Sequence, residues 1–303
     1  MYYLAVAFPG IAGRRLPVSR DQTVLLLVAV NLIFLGVDTF LSHYLNGTIR
    51  TGEWIPIIFG PIAGALLLLA GLIAFRNRLL ASTIASLTLF ASMVVGMLGA
   101  YFHFVRGTLP TAPLGDRVSV DLLIWAPPVL GPLYFALFGL LGISAAWEEK
   151  PADSGQLIIA KTRRLQLPYS KTRAFLFTTT LGILAAIVSS TLDHARTGFE
   201  SPLLWIPLAA GTFALVTTTF LGIIDRPSRT DVRTHIVAML VLILVGTIGL
   251  VLHMSTNLVA EGVFITERFL RGAPFMAPML FANMGALGLI VLLDPGTTSD
   301  ARQ

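Results

Sequence analysis

The chain has no cysteine, and only 12% of its 303 residues are charged. The missing thiols exclude disulfides, thiolate zinc sites, iron–sulfur clusters and covalently attached c-type haem. Any metal is left to His, Asp, Glu, Met or backbone oxygen. A soluble domain carries about 25% charged residues, roughly twice this share. No nucleotide-binding glycine loop, nucleophile elbow or His-Glu-x-x-His stretch is present.

What fills the chain instead is apolar: 55% of residues are hydrophobic. Side chains that face lipid must be apolar as well as those that face the core, which gives this composition a reason. Apolar runs of about 20 residues, the length that crosses the hydrocarbon, occur at 23–43, 54–75, 79–103, 121–146, 174–194, 203–224, 234–255 and 273–293. They predict an all-α integral membrane protein of about eight transmembrane helices. Residues 1–20 lack the layout of a cleavable signal and read as a cytoplasmic interfacial segment.

Lysine and arginine set the orientation. Fifteen lie in the even connections and the terminal segments: Arg14, Arg15, Arg20, Arg76, Arg78, Lys150, Lys161, Arg163, Arg164, Lys171, Arg173, Arg226, Arg229, Arg233 and Arg302. Six lie in the odd connections: Arg50, Arg106, Arg117, Arg196, Arg268 and Arg271. This bias predicts a multi-pass protein of the inner (plasma) membrane with both termini cytoplasmic. It also accounts for the net charge of +5 as topology, so nucleic acid is not an expected partner. The lipid bilayer is.

The sequence repeats itself. At an offset of 151, His43, Gly47, Trp54, Pro56, Gly60 and Gly71 fall on His194, Gly198, Trp205, Pro207, Gly211 and Gly222. At an offset of 150, Gly96, Gly99 and His103 fall on Gly246, Gly249 and His253. The expected organisation is a first four-helix half at 21–147, a cytoplasmic linker at 148–173, a second half at 174–295 and a tail at 296–303. Four spans per half is an even number, so the halves insert alike and a pseudo-two-fold axis should lie along the membrane normal. A weaker echo inside each half sets Trp125-Ala126-Pro127 against Gly272-Ala273-Pro274, as if one hairpin had been used four times.

Four of the five histidines, His43, His103, His194 and His253, close the odd-numbered helices near the outer face. The fifth, His235, begins span seven at the opposite face, where nothing pairs with it. A histidine at a helix C-terminus is electrostatically comfortable. Four in register after duplication point further, to ligation, because neutral imidazole is a common metal and haem ligand. Two pairs would hold two b-type haems; a ring of four would hold one copper, iron or zinc ion. Asp38 and Asp193 are candidate partners that orient an imidazole. Gly96, Gly99, Gly246 and Gly249 suit either a haem slot or close helix contact.

Two four-helix halves, histidines about 60 residues apart within each and no soluble domain form a plan similar to haem A synthases. The resemblance is architectural. The chain has no Glu-x-x-His and no extracellular cysteine pair, and its histidines close odd helices where that family uses even ones, so the activity is not carried over.

The leading expectation is a redox or electron-transfer subunit holding haem b or a metal ion, with a periplasmic redox partner or further membrane subunits. Two others stay open: a transporter or channel with a titratable outer vestibule, and a non-catalytic scaffold of a membrane complex. Mid-membrane polar groups are few, chiefly Asn31, Asn283, Thr178-Thr179-Thr180 and Thr217-Thr218-Thr219. The last outer loop, with Glu261, Glu267, Arg268 and Arg271, reads as a solvated loop or a docking surface. Whether the chain is an enzyme stays open at this point.

Overall fold

Short polar side chains fix where several apolar runs become helix. Asn77 accepts a hydrogen bond from the Leu80 N–H at 3.0 Å, Ser119 from Leu122 at 3.2 Å and Ser170 from Arg173 at 3.4 Å, each capping an N-terminus whose amides lack partners. The computed structural model describes residues 2–12, 18–44, 47–159, 163–258 and 274–293. Its helices are α1 (Tyr3–Ala7), α2 (Arg20–Tyr44), α3 (Trp54–Ile73), α4 (Arg78–Arg106), α5 (Val120–Trp125), α6 (Leu130–Ala146), α7 (Lys171–Ala195), α8 (Ile206–Ile223), α9 (Arg229–Leu258) and α10 (Met279–Ile290).

Six of these, α2, α3, α4, α7, α8 and α9, are long and apolar enough to cross a membrane; α6 and α10 are apolar but shorter. The chain is therefore an all-helical multi-pass membrane protein. The apolar run at 121–146 is not one helix. It breaks between α5 and α6 because Pro127 and Pro128 donate no N–H and push Ala126 into extended backbone, at ψ 165°. Arg14, Arg15, Lys161, Arg302, Gly272, Ala273 and the charged loop with Glu261, Glu267, Arg268 and Arg271 lie outside the described residues.

In the first half α2 packs on α3, α3 on α4, α4 on α6, and α6 back on α2; α7, α8, α9 and α10 repeat the circuit. The halves meet where α6 touches α7 and α10 touches α2. At that seam Tyr134 donates its hydroxyl to the Gly182 carbonyl at 3.1 Å, and Asn283 donates to the Asn31 side chain at 2.7 Å. Large side chains of α6 and α7, among them Phe135, Phe138, Phe175 and Ile183, are fully buried or nearly so. Outward-facing residues such as Leu69, Phe90, Val216 and Leu244 remain exposed, as lipid-facing positions must.

The linker is not structureless. Three short antiparallel strands, β1 (Glu148–Glu149), β2 (Gln156–Ile158) and β3 (Arg164–Gln166), form a small sheet in the order β1-β2-β3. Glu149 ties it to the start of α7 by accepting from the Gly155 and Lys171 amides at 2.8 and 2.9 Å. Beside it Lys171, wholly buried, donates to Asp21 at 2.5 Å and to the Trp147 carbonyl at 2.6 Å. Arg20, 1% exposed, donates to Thr172 at 2.5 Å. The N-terminal segment docks on the second half through Leu4, whose N–H donates to the Leu292 carbonyl at 3.0 Å.

Of the two uses expected for Gly96, Gly99, Gly246 and Gly249, a haem slot or close helix contact, the structure shows the close contact. A Cβ on Gly99 would stand 2.7 Å from the Pro132 Cβ, and one on Gly249 would stand 2.8 Å from the Pro278 Cβ. Gly96 presses on Ala136 and the Pro132 carbonyl, and Gly246 on Ala282 and the Pro278 carbonyl. At Gly96 and Gly246 backbone meets backbone, and at Gly99 and Gly249 backbone meets a proline ring, approaches that only residues without a side chain permit.

Candidate histidine sites

Of the four C-terminal histidines, His43 and His103 come into ring contact, while His194 and His253 are linked by electrostatic range. His43 near the end of α2 and His103 near the end of α4 have ring centroids 6.0 Å apart, with planes inclined at 54°. His194 on α7 lies within electrostatic range of His253 on α9. In each half the two helices are diagonal members of the circuit, so the imidazoles approach across the bundle. All four rings are half-buried. Among the described residues no group of three or more His, Asp or Glu is placed to hold a metal ion, so the four do not form one ring.

Backbone carbonyls hold the rings. His43 Nδ1 lies 2.8 Å from the Thr39 carbonyl, His103 Nδ1 2.9 Å from the Pro128 carbonyl, and His253 Nδ1 2.9 Å from the Pro274 carbonyl. A carbonyl only accepts, so each of these Nδ1 atoms carries the hydrogen, and the Nε2 lone pair is the free donor. His194 differs. Its Nδ1 sits 3.4 Å from the Ser190 hydroxyl, and the Leu204 carbonyl is a further partner.

Sequence supplies the reason that two of those carbonyls are available. Pro132 stands four residues after Pro128, and Pro278 four residues after Pro274. A proline at that position has no N–H to give back to the carbonyl one turn earlier. What remains on these carbonyls besides the histidine is a long bond from Gly131 at 3.3 Å and from Ala277 at 3.2 Å. The Pro-x-x-x-Pro spacing was the available signal. It also corrects the register of the weaker repeat: the counterpart of Pro274 is Pro128, not Pro127.

The expected carboxylates play a different part. Asp38 is within electrostatic range of His43, and Asp193 of both His194 and His253, without the hydrogen bond that would orient a ring. Asp193 faces Arg196 at 3.9 Å. Sequence reasoning missed Glu53, which lies in electrostatic range of both His43 and His103 and pairs with Arg106 at 3.3 Å. Positive backbone at Gly47 (φ 83°) and Gly198 (φ 61°) explains why the turn after each first histidine keeps glycine. His235 is a packing residue: wholly buried, it meets the Gly288 carbonyl at 3.1 Å and Thr218 at 3.4 Å.

No family model, curated protein or solved structure matches the chain.

Proposed function

We propose that each half carries one bis-imidazole site, and that the protein is a redox or electron-transfer subunit of the inner membrane. Eight spans, with α5 and α6 sharing the fourth, would put both termini in the cytoplasm and the histidines at the outer face, about a pseudo-two-fold axis along the membrane normal. The observation that carries this reading is the His43–His103 pair. Its ring centroids lie 6.0 Å apart, close enough that His43 and His103 would serve one bound group together.

Donor counting favours haem b over a bare ion. Two imidazole nitrogens per site are what a haem would take from the protein, whereas structural zinc asks for about four ligands. His43 and His103 would hold one group and His194 and His253 the other; a copper, iron or zinc ion on each pair is the variant with the same donors. A bound haem supplies a one-electron store. The chain's own part is to fix His43, His103 and His253 by their Nδ1–H and to leave Nε2 free, which favours one ring orientation before any ligand arrives. Sites at one depth would exchange electrons with a periplasmic partner rather than carry them across the membrane.

The transporter reading loses support from the mid-membrane polar groups. Thr178, Thr179, Thr180, Thr217, Thr218 and Thr219 all donate to carbonyls of their own helices, and Asn31 and Asn283 bond to each other. Polar groups occupied in this way do not line a path.

Visible spectra of detergent-purified protein, oxidised and dithionite-reduced, with metal analysis on the same sample, test the proposal. Sharp reduced α and β bands at about two haems per chain are expected on this donor count. Protein without chromophore or metal after growth with haem precursors and metals would overturn it.

A further inference from the structure

We infer that Arg196, a residue of the second half, is a positioning residue for the histidine site of the first half. Arg196 follows α7 and reaches across to the strap that joins α5 to α6. Its Nε donates to the Ile124 carbonyl at 2.7 Å and its Nη2 to the Ala126 carbonyl at 3.1 Å. Two residues further on, the Pro128 carbonyl holds His103 Nδ1 at 2.9 Å. The intervening Pro127-Pro128 pair is stiff in φ, so a displacement at Ala126 carries to the Pro128 carbonyl. The strap is also seated on Gly107, where an added Cβ would come within 2.8 Å of the Ala126 Cβ.

Arginine suits this task. The last carbonyls of a short helix have no intrahelical donors, and the planar guanidinium fork reaches two of them at once, which a single ammonium does not. Its third nitrogen, Nη1, faces Asp193 at 3.9 Å, next to His194. One side chain thus links the strap that orients His103 to the carboxylate beside the second pair. The repeat does not return the favour: the position matching Arg196 in the first half is Leu45.

The inference rests on the bis-imidazole reading for its ligand, but not for the ring position, so two readouts keep the claims apart. The first is NMR of isotope-labelled histidine in the ligand-free protein, which reports which ring nitrogen of His103 carries the hydrogen. Arg196→Ala should convert a fixed Nδ1–H into a mixture of tautomers, while His253 stays fixed. The second is titration with ferric protoporphyrin IX of a His194→Ala/His253→Ala protein, which isolates the first pair. Adding Arg196→Ala should weaken binding about three- to tenfold, the size of one charge-assisted hydrogen bond at a half-exposed side chain.

Arg196→Lys should recover only part of either effect, and it serves as the test if the alanine variant does not give monodisperse protein. A His103 signal and a porphyrin affinity both unmoved by these variants would overturn the inference. A shifted tautomer in a protein that binds no porphyrin would uphold the positioning role and refute the ligand.

Discussion

Within each half one pair of helices has kept its contacts and the other has drifted. In α4–α6 and α9–α10 the interlock recurs residue by residue. A Cβ on Gly139 would lie 2.6 Å from the Leu89 carbonyl, and one on Gly285 2.6 Å from the Met239 carbonyl. In α2–α3, by contrast, Gly36 packs directly against Pro61, and the matching positions in α7–α8 are Ile187 and Thr212. The second-half loop before α10 has even lost four residues, since His103 and Pro128 are 25 apart and His253 and Pro274 are 21 apart. Yet the histidine-to-carbonyl distance is 2.9 Å in both. The retained interlock is the one that presents a free carbonyl to a histidine, which fits a demand on imidazole placement rather than on packing alone.

The largest expected break in the comparison is at the seam. Arg20 and Lys171 occupy matched positions and both meet the Asp21 carboxylate, Lys171 at 2.5 Å and Arg20 at 3.3 Å, while Arg20 also donates to the Thr172 hydroxyl. Lys171→Met takes from Asp21 the nearer of its two buried cations and should cost about 3 kcal/mol, whereas Arg20→Met, which removes the longer contact, should cost about half as much. Unfolding midpoints in mixed detergent measure both; equal losses would show that the two cations serve the carboxylate alike.

Next come the interlock glycines. Gly96→Val and Gly246→Val should each destabilise by about 2 kcal/mol, because the atoms in the way are backbone. Their costs should match, and a tolerated Gly246→Val would mean that the second interlock is not the equal of the first. The smallest effect separates a retained glycine from an idle one. A Cβ on Gly71 meets nothing within 4 Å, whereas one on Gly222 meets the Phe177 ring at 2.9 Å. Gly71→Ala should stabilise by about 0.5 kcal/mol through helix propensity, and Gly222→Ala should gain nothing.

Much of this was legible in the residues. Apolar length announced the six long helices, while the runs at 121–146 and 273–293 gave shorter ones. The pairing of histidines was one of two arrangements that spacing allowed, and only the circuit of helices selects it, by placing α2 across from α4. The carbonyl locks were hidden because a backbone acceptor leaves no letter in a sequence. Their trace, the prolines at 132 and 278, looks like ordinary helix punctuation. Trp125-Ala126-Pro127-Pro128 misled by one position, since string similarity cannot choose between adjacent prolines. The sheet at 148–166 was missed because strands of two or three residues carry too little periodicity to read.

The most direct test of the account is to sort the histidines by loss of signal. His43→Ala, His103→Ala, His194→Ala and His253→Ala are each purified, and bound haem or metal is counted. The account predicts that every variant loses about half, that His43→Ala/His103→Ala loses no more than either single change, and that His43→Ala/His194→Ala loses all. Complete loss from any single variant would mean that the four imidazoles serve one centre, and would contradict the two-site account.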